Sequence, residues 1–485
     1  MSGALSSLKV LDFTTLLPGP YATMCLADMG ADVLRVTSGS RPDLVEFLPP
    51  KIPELGIGAV SAYLGRGKRS LALNLKDPRG IKIVHQLLAD YDIVIEQFRP
   101  GVMAKLGLDY ESLRKVNPRV IYCSISGYGQ TGPMRDRAGH DMNYMALSGV
   151  MGYSGRKATG PTLMGIQIAD IASGSNNAVI GILAAVVSRA QTGVGQYIDI
   201  SMTDGVVALN AMVGAAYLAG GPAPGREDNW LNGGSLYDFY ETKDGGYLSI
   251  GSLEPQFFKA LCEAIGRPDL IPVTVMPKPQ DFQRVKEEIR AIIRTRTRAE
   301  WEAVFKATDA CVEPVLGLAE ALEGELARGR EMVVDVPLLP RGAGGGKSGS
   351  GFSTGNHGEV SVNGGSGAAA SGVQTVAGAA NITDGGVCGS GNATPKNVSA
   401  QTADSGSGVV PGQGTTPGTG TGASAGAATP PATVRQLANP VKFSGTPVAY
   451  AFAGVKTGTH NREVLMGLGY TEAQIGEFAA TGLFD

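Results

Sequence analysis

The stretch LKVLDFTTLLPGPYATMCLADMGADVLRV, residues 8–36, decides the fold that this sequence predicts. Its apolar run at residues 8–13 predicts a short strand, and the Pro18-Gly19-Pro20 sequence breaks the chain after it. Residues 21–29 predict a helix that ends at a glycine, and residues 31–36 predict a second strand. Two strands joined in this way form a β-α-β unit, in which the strands lie parallel.

The same alternation continues through the first 200 residues. Further strands are predicted at residues 70–75, 93–96, 120–125 and 195–201. A helix is predicted to open at Asp77-Pro78, because proline is well suited to the first turn of a helix. Repeated β-α-β units predict the α/β fold class, with a mainly parallel sheet covered by helices.

The second half of the chain has a different pattern of predicted elements and a different composition. A small-residue helix is predicted from residue 203 to 218, and two strands at 236–240 and 247–250 flank a turn. We divide the chain into residues 1–205, a linker at 206–228, a small α+β domain at 229–325, a linker at 326–340, an insertion at 341–434 and a terminal segment at 435–485. The insertion is dominated by Gly, Ser, Thr and Ala without periodicity, and we expect it to be flexible, because such a segment buries too little apolar surface to offset its ordering entropy.

Composition narrows the class of protein. The chain has 485 residues and a net charge of -3, so its charge gives no reason to expect nucleic-acid binding. Its apolar stretches at residues 178–187 and 206–219 are too short or too polar for a membrane span, and no leader peptide is recognised at its start. Scattered cysteines without paired spacing predict free thiols of a reducing compartment. We therefore expect a soluble, cytoplasmic protein. The cysteines are Cys25, Cys123, Cys262, Cys311 and Cys388.

The strongest chemical signal is His140. The chain has four histidines, and His140, in AGHDMNY at residues 138–144, is the one embedded in a motif. Imidazole suits proton transfer near neutral pH. Two carboxylates become candidates only through the family resemblance given below: Asp170, whose apolar surroundings would raise its pKa, and Glu254, which precedes Pro255. Taken singly, each has a structural explanation: His140 lies beside a helix start, Asp170 is a possible N-cap, and Glu254 opens a helix.

Two further patterns concern phosphate binding. The sequence GYGQTG at residues 127–132 matches the dinucleotide pattern G-x-G-x-x-G, but Pro133 follows it without a clear helix start, which favours a surface turn. Basic residues cluster at positions 66–69, and further single basic residues lie near the ends of other predicted strands. Ligands of open α/β sheets bind at the carboxyl ends of the strands, so such cations would suit a phosphate-rich ligand.

Taken together, these landmarks resemble the family III CoA-transferase (CaiB/BaiF) superfamily, and in particular its α-methylacyl-CoA racemase branch. The resemblance is carried by DF at 12–13 with LPGP at 17–20, GADVLRV at 30–36, GKRS at 67–70 with LNLK at 73–76, FRPG at 98–101, SGYGQTGP at 126–133, AGHD at 138–141 and GSLEPQF at 251–257. The resemblance implies a large Rossmann-like domain built from both chain ends, residues 1–205 and 435–485, and a smaller α+β domain. It also implies an interlocked homodimer.

The resemblance implies a racemase that inverts the α-carbon of a 2-methylacyl-CoA. Such a reaction needs one acid/base group on each face of the carbon and a donor for the enolate oxygen. His140 and Asp170 would be the two groups, Glu254 would set the tautomer of His140, and the N–H of Asp141 would be the donor. The substrate would carry the CoA itself, so neither a separate cofactor nor a metal is expected.

The resemblance also assigns residues to CoA. The phosphates would be held by Arg35, Lys68, Arg69 and Lys105, and the pantetheine and thioester would lie along Gly139, Asp141, Met142, Asn143 and Tyr144. Lys105 keeps the charge of the arginine common at this place, without its bidentate geometry. The main alternative is a CoA-transferase of the same superfamily, with Asp170 as the nucleophile. His140 and Glu254 favour the racemase, because a transferase needs no second acid/base group. An isomerase that uses the same enolate chemistry on a related CoA ester is a further alternative, and a binding protein without turnover is the alternative from another class.

Overall fold

The computed structural model describes residues 3–274, 279–338 and 432–485. Within these ranges it has thirteen strands: β1 Lys9–Asp12, β2 Asp32–Thr37, β3 Lys51–Ile52, β4 Ile57–Gly58, β5 Lys68–Ala72, β6 Ile93–Glu96, β7 Ile121–Ser126, β8 Tyr197–Ser201, β9 Asp238–Glu241, β10 Tyr247–Ile250, β11 Val312–Pro314, β12 Val333–Pro337 and β13 Thr433–Leu437.

The same ranges contain seventeen α-helices: α1 Pro18–Asp28, α2 Ala59–Leu64, α3 Pro78–Leu87, α4 Val102–Lys105, α5 Tyr110–Val116, α6 Asp141–Leu147, α7 Val150–Tyr153, α8 Asn176–Thr192, α9 Met202–Leu209, α10 Ala211–Leu218, α11 Pro255–Ala264, α12 Pro279–Ile293, α13 Arg298–Phe305, α14 Leu318–Glu323, α15 Glu325–Gly329, α16 Asn461–Gly467 and α17 Glu472–Ala480. A π-helix, Ala169–Ser175, runs directly into α8, and 3-10 turns occupy Leu44–Glu46 and Pro268–Thr274.

A six-stranded parallel sheet forms the centre of the molecule. Its strand order is β5-β2-β1-β6-β7-β8, and Val10 lies opposite both Val33 and Ile93. The chain first builds outward from β1 through β2 to β5, and then restarts on the other side of β1 with β6. The order therefore reverses between β1 and β6, which is where open α/β sheets commonly bind ligands. The predicted parallel α/β sheet is confirmed.

Both faces of this sheet are covered. Alternate residues of each strand point to opposite faces, so Val10 belongs to one apolar core and Leu11 to the other. The first core includes Ala22 of α1 and Ile182 of α8. The second includes residues of α3 together with Leu465 of α16, so the end of the chain packs against this face of the sheet.

A separate core belongs to the middle of the chain. Strands β11, β10 and β9 form an antiparallel sheet, in which Leu248 lies opposite Tyr240. Its apolar side packs with Phe258 of α11 and with the fully buried Trp301 of α13. The predicted hairpin around residues 243–246 is confirmed.

Two predicted helices have different bounds in the structure. Helix α1 begins at Pro18 rather than at residue 21, because the two prolines fit its first turn, where the N–H groups have no intrahelical acceptor. The predicted helix at 203–218 is interrupted at Asn210. The Asn210 amide donates to the carbonyls of Val206 and Ser148, and such side-chain bonds to the backbone compete with continuation of a helix.

The predicted insertion lies almost entirely outside the described residues. The described chain resumes at residue 432, and β13 pairs antiparallel with β12, with Val334 opposite Gln436. Strand β13 thus begins at Thr433, one residue before the expected end of the insertion at residue 434.

One helical stretch is long and apolar. Ala169–Thr192 comprises 24 residues and is long and apolar enough to cross a membrane. Core helices of soluble proteins can have the same length and composition. Ala178, Ile182 and Ala185 form a buried stripe on it, and the buried Arg189 pairs with Asp92 at 3.0 Å. This side of the helix therefore packs on the protein itself.

Candidate active site

His140 and Asp170 line one cavity. The cavity has a volume of about 570 Å³, and its walls come from α6, α7, the loop before the π-helix and the first turn of the π-helix. Asp141 also lines the cavity. The structure thus brings together two of the three predicted catalytic side chains, which are 30 residues apart in the sequence.

The position of His140 depends on the glycine before it. His140 is the N-cap of α6, and the side chain of Asn143 accepts a hydrogen bond from the His140 N–H at 3.0 Å. The buried Tyr144 donates its Oη hydrogen to the Gly139 carbonyl. A Cβ at Gly139 would lie 2.6 Å from the Tyr144 ring and 2.7 Å from Tyr128 Oη, so glycine is required for this packing. The backbone of His140 is consequently fixed at the start of α6, and its exposed side chain lines the cavity.

Asp170 is held in the first turn of the π-helix. Its backbone N–H donates to Asp141 Oδ1 at 3.0 Å, and the hydroxyl of the fully buried Ser175 donates to its carbonyl at 3.0 Å and to the Pro18 carbonyl at 2.6 Å. Single-turn π-helical segments are frequent at functional sites. The backbone that carries the Asp170 carboxylate is therefore tied to α1 and to α6.

The surroundings of Asp170 raise its pKa to about 6. Burial is the largest cause, the neighbouring Asp141 carboxylate adds to it, and His140 acts in the opposite direction. A carboxyl group with this pKa is mostly ionised at neutral pH, yet it is a much better base than an ordinary aspartate. The sequence-based prediction of a raised pKa agrees with this direction.

The rest of the cavity wall is apolar and rich in methionine. Met142, Met145, Met151, Leu163 and Met164 contribute to it, and Leu163 is 71% exposed. Unbranched methionine side chains adapt to irregular apolar surfaces. This wall can therefore receive an apolar group whose polar end lies between His140 and Asp170.

The loop that carries Leu163 is attached to the antiparallel sheet. Arg156 bridges to Gly160 through the backbone, and its guanidinium contacts Asp238 of β9, at 3.0 Å for Nη1 to Oδ2, and Glu227 at 3.3 Å. Asp238 is 8% exposed and also forms an ion pair with Lys286. The apolar wall of the cavity is thus anchored by an ion-pair cluster.

Glu254 is not part of this cavity. It is the exposed N-cap of α11, and within the described ranges it forms no hydrogen bond with His140. The structural interpretation of Glu254 as a helix start is accurate for a single chain. The contact predicted between Glu254 and His140 is not formed within one chain.

The four predicted CoA-phosphate residues lie elsewhere. The buried Lys68 donates to Asp12 Oδ2, to the Pro20 carbonyl and to Thr23 Oγ1 at 3.2, 2.8 and 2.6 Å, so its three donors are used within the protein. A contact with phosphate would have to replace one of these bonds. Lys105, at the end of α4, is exposed.

Arg35 and Arg69 also have partners within the chain. The buried Arg35 pairs with Asp43 at 3.0 Å and with Glu46 at 3.7 Å. Arg69 is 27% exposed and contacts Asp32 at 2.8 Å. Neither side chain lines the cavity of His140. Of the residues assigned to pantetheine and thioester, Asp141 and Met142 line that cavity, whereas Gly139, Asn143 and Tyr144 support its wall or adjoin it.

A second cavity contains cations that the sequence did not single out. It has a volume of about 460 Å³ and lies beyond the carboxyl ends of β2 and β5, with Lys51, Lys456 and Asn461 in its wall. Lys456 lies far along the chain from β2, so no local pattern links it to this place. The carboxyl-end rule for open sheets is the signal that points to the location, although it does not identify the lysines.

The fold and the first cavity define an α/β protein with an imidazole and a carboxylate in the wall of one largely apolar cavity. Comparison with known proteins agrees with this class. Residues 5–343 match the family model of CoA-transferase family III. The chain is 39% identical over 323 residues to the human α-methylacyl-CoA racemase, covering 66% of this chain and 79% of that protein.

Other relatives have a different activity in their names. The mouse succinyl-CoA:glutarate CoA-transferase is 35% identical over 321 residues, covering 65% of this chain and 73% of that protein. A crystal structure of a CaiB/BaiF family protein from Brucella suis superposes with a TM-score of 0.61 at 30% identity, covering 69% of this chain and 90% of that one. The chain belongs to CoA-transferase family III and is an enzyme of that family, with α-methylacyl-CoA racemases among its relatives.

Proposed function

We propose that this enzyme is a racemase that interconverts the (R) and (S) forms of a 2-methylacyl-CoA thioester. The observation that carries the proposal is that His140 and Asp170 line the same cavity beside an apolar wall. The named activity of the human and mouse relatives supports it.

The reaction consists of two proton transfers. One of the two groups removes the α-proton, and the electron pair of the broken C–H bond moves into the thioester as an enolate. The other group then donates a proton to the opposite face of the α-carbon, and the carbonyl is restored. In the reverse direction His140 and Asp170 exchange roles, so Asp170 must both gain and lose a proton near neutral pH, which its raised pKa favours.

The enolate oxygen needs a donor during this reaction. Asp141 is the first residue of α6, so its N–H has no acceptor within the helix. The positive end of the helix dipole adds to the stabilisation of a negative oxygen there. We assign the oxyanion contact to this N–H.

We propose that CoA extends from the thioester toward the cations of the large sheet. Its phosphates would lie at the second cavity, with Lys51 and Lys456. The exposed Lys105 and the partly exposed Arg69 remain further candidates for a phosphate contact. Arg35 and Lys68 are buried and would not contact the phosphates directly; they would stabilise the positions of β2 and β5. The protein needs no other cofactor in this proposal.

A CoA-transferase is the second candidate. The mouse succinyl-CoA:glutarate CoA-transferase supports it at an identity close to that of the racemases. In that reaction the Asp170 carboxylate would attack the thioester carbonyl, release CoA as thiolate and form a mixed anhydride. His140, which shares the cavity with Asp170, has an evident role in proton transfer and none in this chemistry.

Deuterium incorporation separates the two candidates. One enantiomer of a 2-methylacyl-CoA is incubated with the enzyme in deuterated water, with and without an added carboxylic acid. We expect deuterium at the α-carbon and loss of enantiomeric purity without any acid present. Transfer of CoA to the acid without α-deuteration would refute the racemase and support the transferase.

We further propose a cytoplasmic homodimer. Helices α8 and α10 expose large apolar side chains, including Ile180 at 64%, Met212 at 72% and Leu218 at 86%, and α10 has no buried residue. A second copy of the chain would cover this surface. Cys25, Cys123, Cys262 and Cys311 are free thiols, which suits a reducing compartment.

A further inference from the structure

A third cavity lies on the other side of the large sheet from α1. It has a volume of about 290 Å³ and shares no lining residue with the cavities described above. Glu96, at the end of β6, and Ser124 on β7 lie opposite each other in the sheet, and Tyr122 on β7 lies opposite Tyr197 on β8. All four line the cavity. The proposed reaction uses none of them.

The cavity contains a buried hydroxyl that lacks a partner. Tyr122 is 2% exposed, and its Oη atom is inaccessible to solvent and has no hydrogen-bond partner within the described ranges. The Nε2 atom of Gln130, in the same wall, is in the same condition. Buried polar atoms without partners are costly and uncommon in native proteins. Tyr122 Oη therefore has an unused lone pair at the cavity wall, whereas Gln130 Nε2 is a donor and offers no acceptor to a cation.

The charge of the wall is predominantly negative. Glu96, Asp109 and Glu111 line it together with one guanidinium, that of the exposed Arg99. Glu111 is also paired with Arg114 at 2.7 Å, so the excess negative charge belongs to Glu96 and Asp109. Glu96 is 4% exposed, and burial raises its pKa to about 7. A cation beside this group would favour its ionised form.

Aromatic rings complete the wall. The rings of Tyr110, Tyr122 and Tyr197 form a cluster with centroids 5.7 to 6.4 Å apart. Arg114 already lies over the Tyr110 ring at 5.7 Å, which shows that a cation is accommodated against this cluster. Aromatic faces beside carboxylates attract organic cations.

The carboxylates do not form a metal site. No group of His, Cys, Asp and Glu suited to hold a metal ion occurs in the part of the chain that the structure describes. A larger cation with hydrogen-bond donors and carbon atoms uses the hydroxyl, the carboxylate and the rings together. We propose that this third cavity binds a small organic ammonium ion, whose N–H groups donate to Tyr122 Oη and to Glu96 while its carbon atoms lie against the tyrosine rings.

The test measures binding, so that its outcome is independent of the reaction the enzyme catalyses. Ethylammonium chloride is titrated into the full-length protein and followed by saturation-transfer NMR, with potassium chloride at the same ionic strength as the reference. We expect saturable binding in the millimolar range. Tyr122→Phe removes only the hydroxyl oxygen and should weaken binding about tenfold, the effect of one hydrogen bond to a charged group. Glu96→Gln, nearly identical in shape, should weaken it at least as much.

The control is Tyr237→Phe, at a tyrosine that is 43% exposed and lines none of the three cavities. It should bind ethylammonium like the unmodified protein, and thermal unfolding checks that each variant is folded. Tetramethylammonium, which has no N–H group, should bind more weakly. Absence of saturable binding, equal competition by potassium, equal binding of tetramethylammonium, or unchanged affinity in Tyr122→Phe would each overturn the proposal.

Discussion

At the scale of single residues, Asp141 acts on Asp170 in two ways that can be separated. Its Oδ1 atom accepts the Asp170 N–H at 3.0 Å, and its negative charge contributes to the raised pKa of Asp170. An asparagine at this position keeps an oxygen acceptor for the N–H and removes the charge. The backbone N–H of residue 141, the proposed oxyanion donor, is unchanged.

We therefore predict that Asp141→Asn lowers the pKa of Asp170. For the enantiomer from which Asp170 removes the proton, Asp170 must be ionised, so activity on that enantiomer falls as the pH drops through the Asp170 pKa, which is about 6 in the unmodified protein. A lower pKa moves the acidic limb of the kcat/KM profile for racemisation to lower pH. Asp141→Ala, which also loses the acceptor, should reduce kcat at every pH. An acidic limb that stays in place in Asp141→Asn would show that the charge of Asp141 does not tune Asp170.

At the scale of the elements, Lys68 connects parts of the sheet that do not adjoin. It lies at the start of β5, and its ammonium group reaches Asp12 at the end of β1, across β2, and Thr23 of α1. Burial alone would raise the pKa of Asp12, but Lys68 and the hydrogen bonds from Thr14 and Thr23 outweigh it and lower that pKa. Burial also lowers the pKa of Lys68, against the opposing effect of Asp12. The two groups form a fully buried connection between β5, β1 and α1.

This geometry predicts a structural role for Lys68 that unfolding can measure. Lys68→Met leaves the Asp12 charge buried without a partner and should lower the free energy of unfolding by about 3–5 kcal/mol in urea titrations. Adding Asp12→Asn should restore part of that loss, because the unpaired charge is gone. The exposed Lys105 is the matched case: Lys105→Ala should leave stability unchanged and raise KM for the acyl-CoA. A Lys68→Met protein of normal stability with a raised KM would instead identify Lys68 as a phosphate contact.

The same residues show which features of the fold and the site can be predicted from the sequence. Local patterns predicted β1, α1 and β2, because alternation, prolines and the terminal glycine act within a few residues. They could not show that Lys68 is buried, since its partner lies 56 positions away and the choice between solvent and Asp12 depends on packing. His140 and Asp170 were recognised through their motifs, and the structure places both at one cavity. Lys51 and Lys456 carry no such motif, and only the fold brings them together.

At the scale of the whole molecule, the exposed apolar surface and the position of Glu254 lead to one expectation. Within one chain Glu254 is exposed and away from the cavity, while His140 is exposed at the cavity. A homodimer would both cover α8 and α10 and offer each His140 a second copy of Glu254. We expect the contact between these residues to form between chains rather than within one.

Complementation between two defective chains tests this expectation. His140→Ala should lower kcat by a factor of about 10²–10⁴, the usual contribution of a general acid or base. Glu254→Ala should also have a strongly lowered kcat. The two variants are co-expressed with different tags, and the mixed dimer is purified through both. If Glu254 acts on the partner, one cavity of the mixed dimer combines an intact His140 with an intact Glu254 and recovers about half the activity of the unmodified dimer, since the other cavity lacks both. If Glu254 acts within its own chain, each cavity lacks one group and the mixed dimer stays inactive. A chain that is monomeric in light scattering at micromolar concentration would contradict the dimer itself, and with it the route by which Glu254 reaches His140.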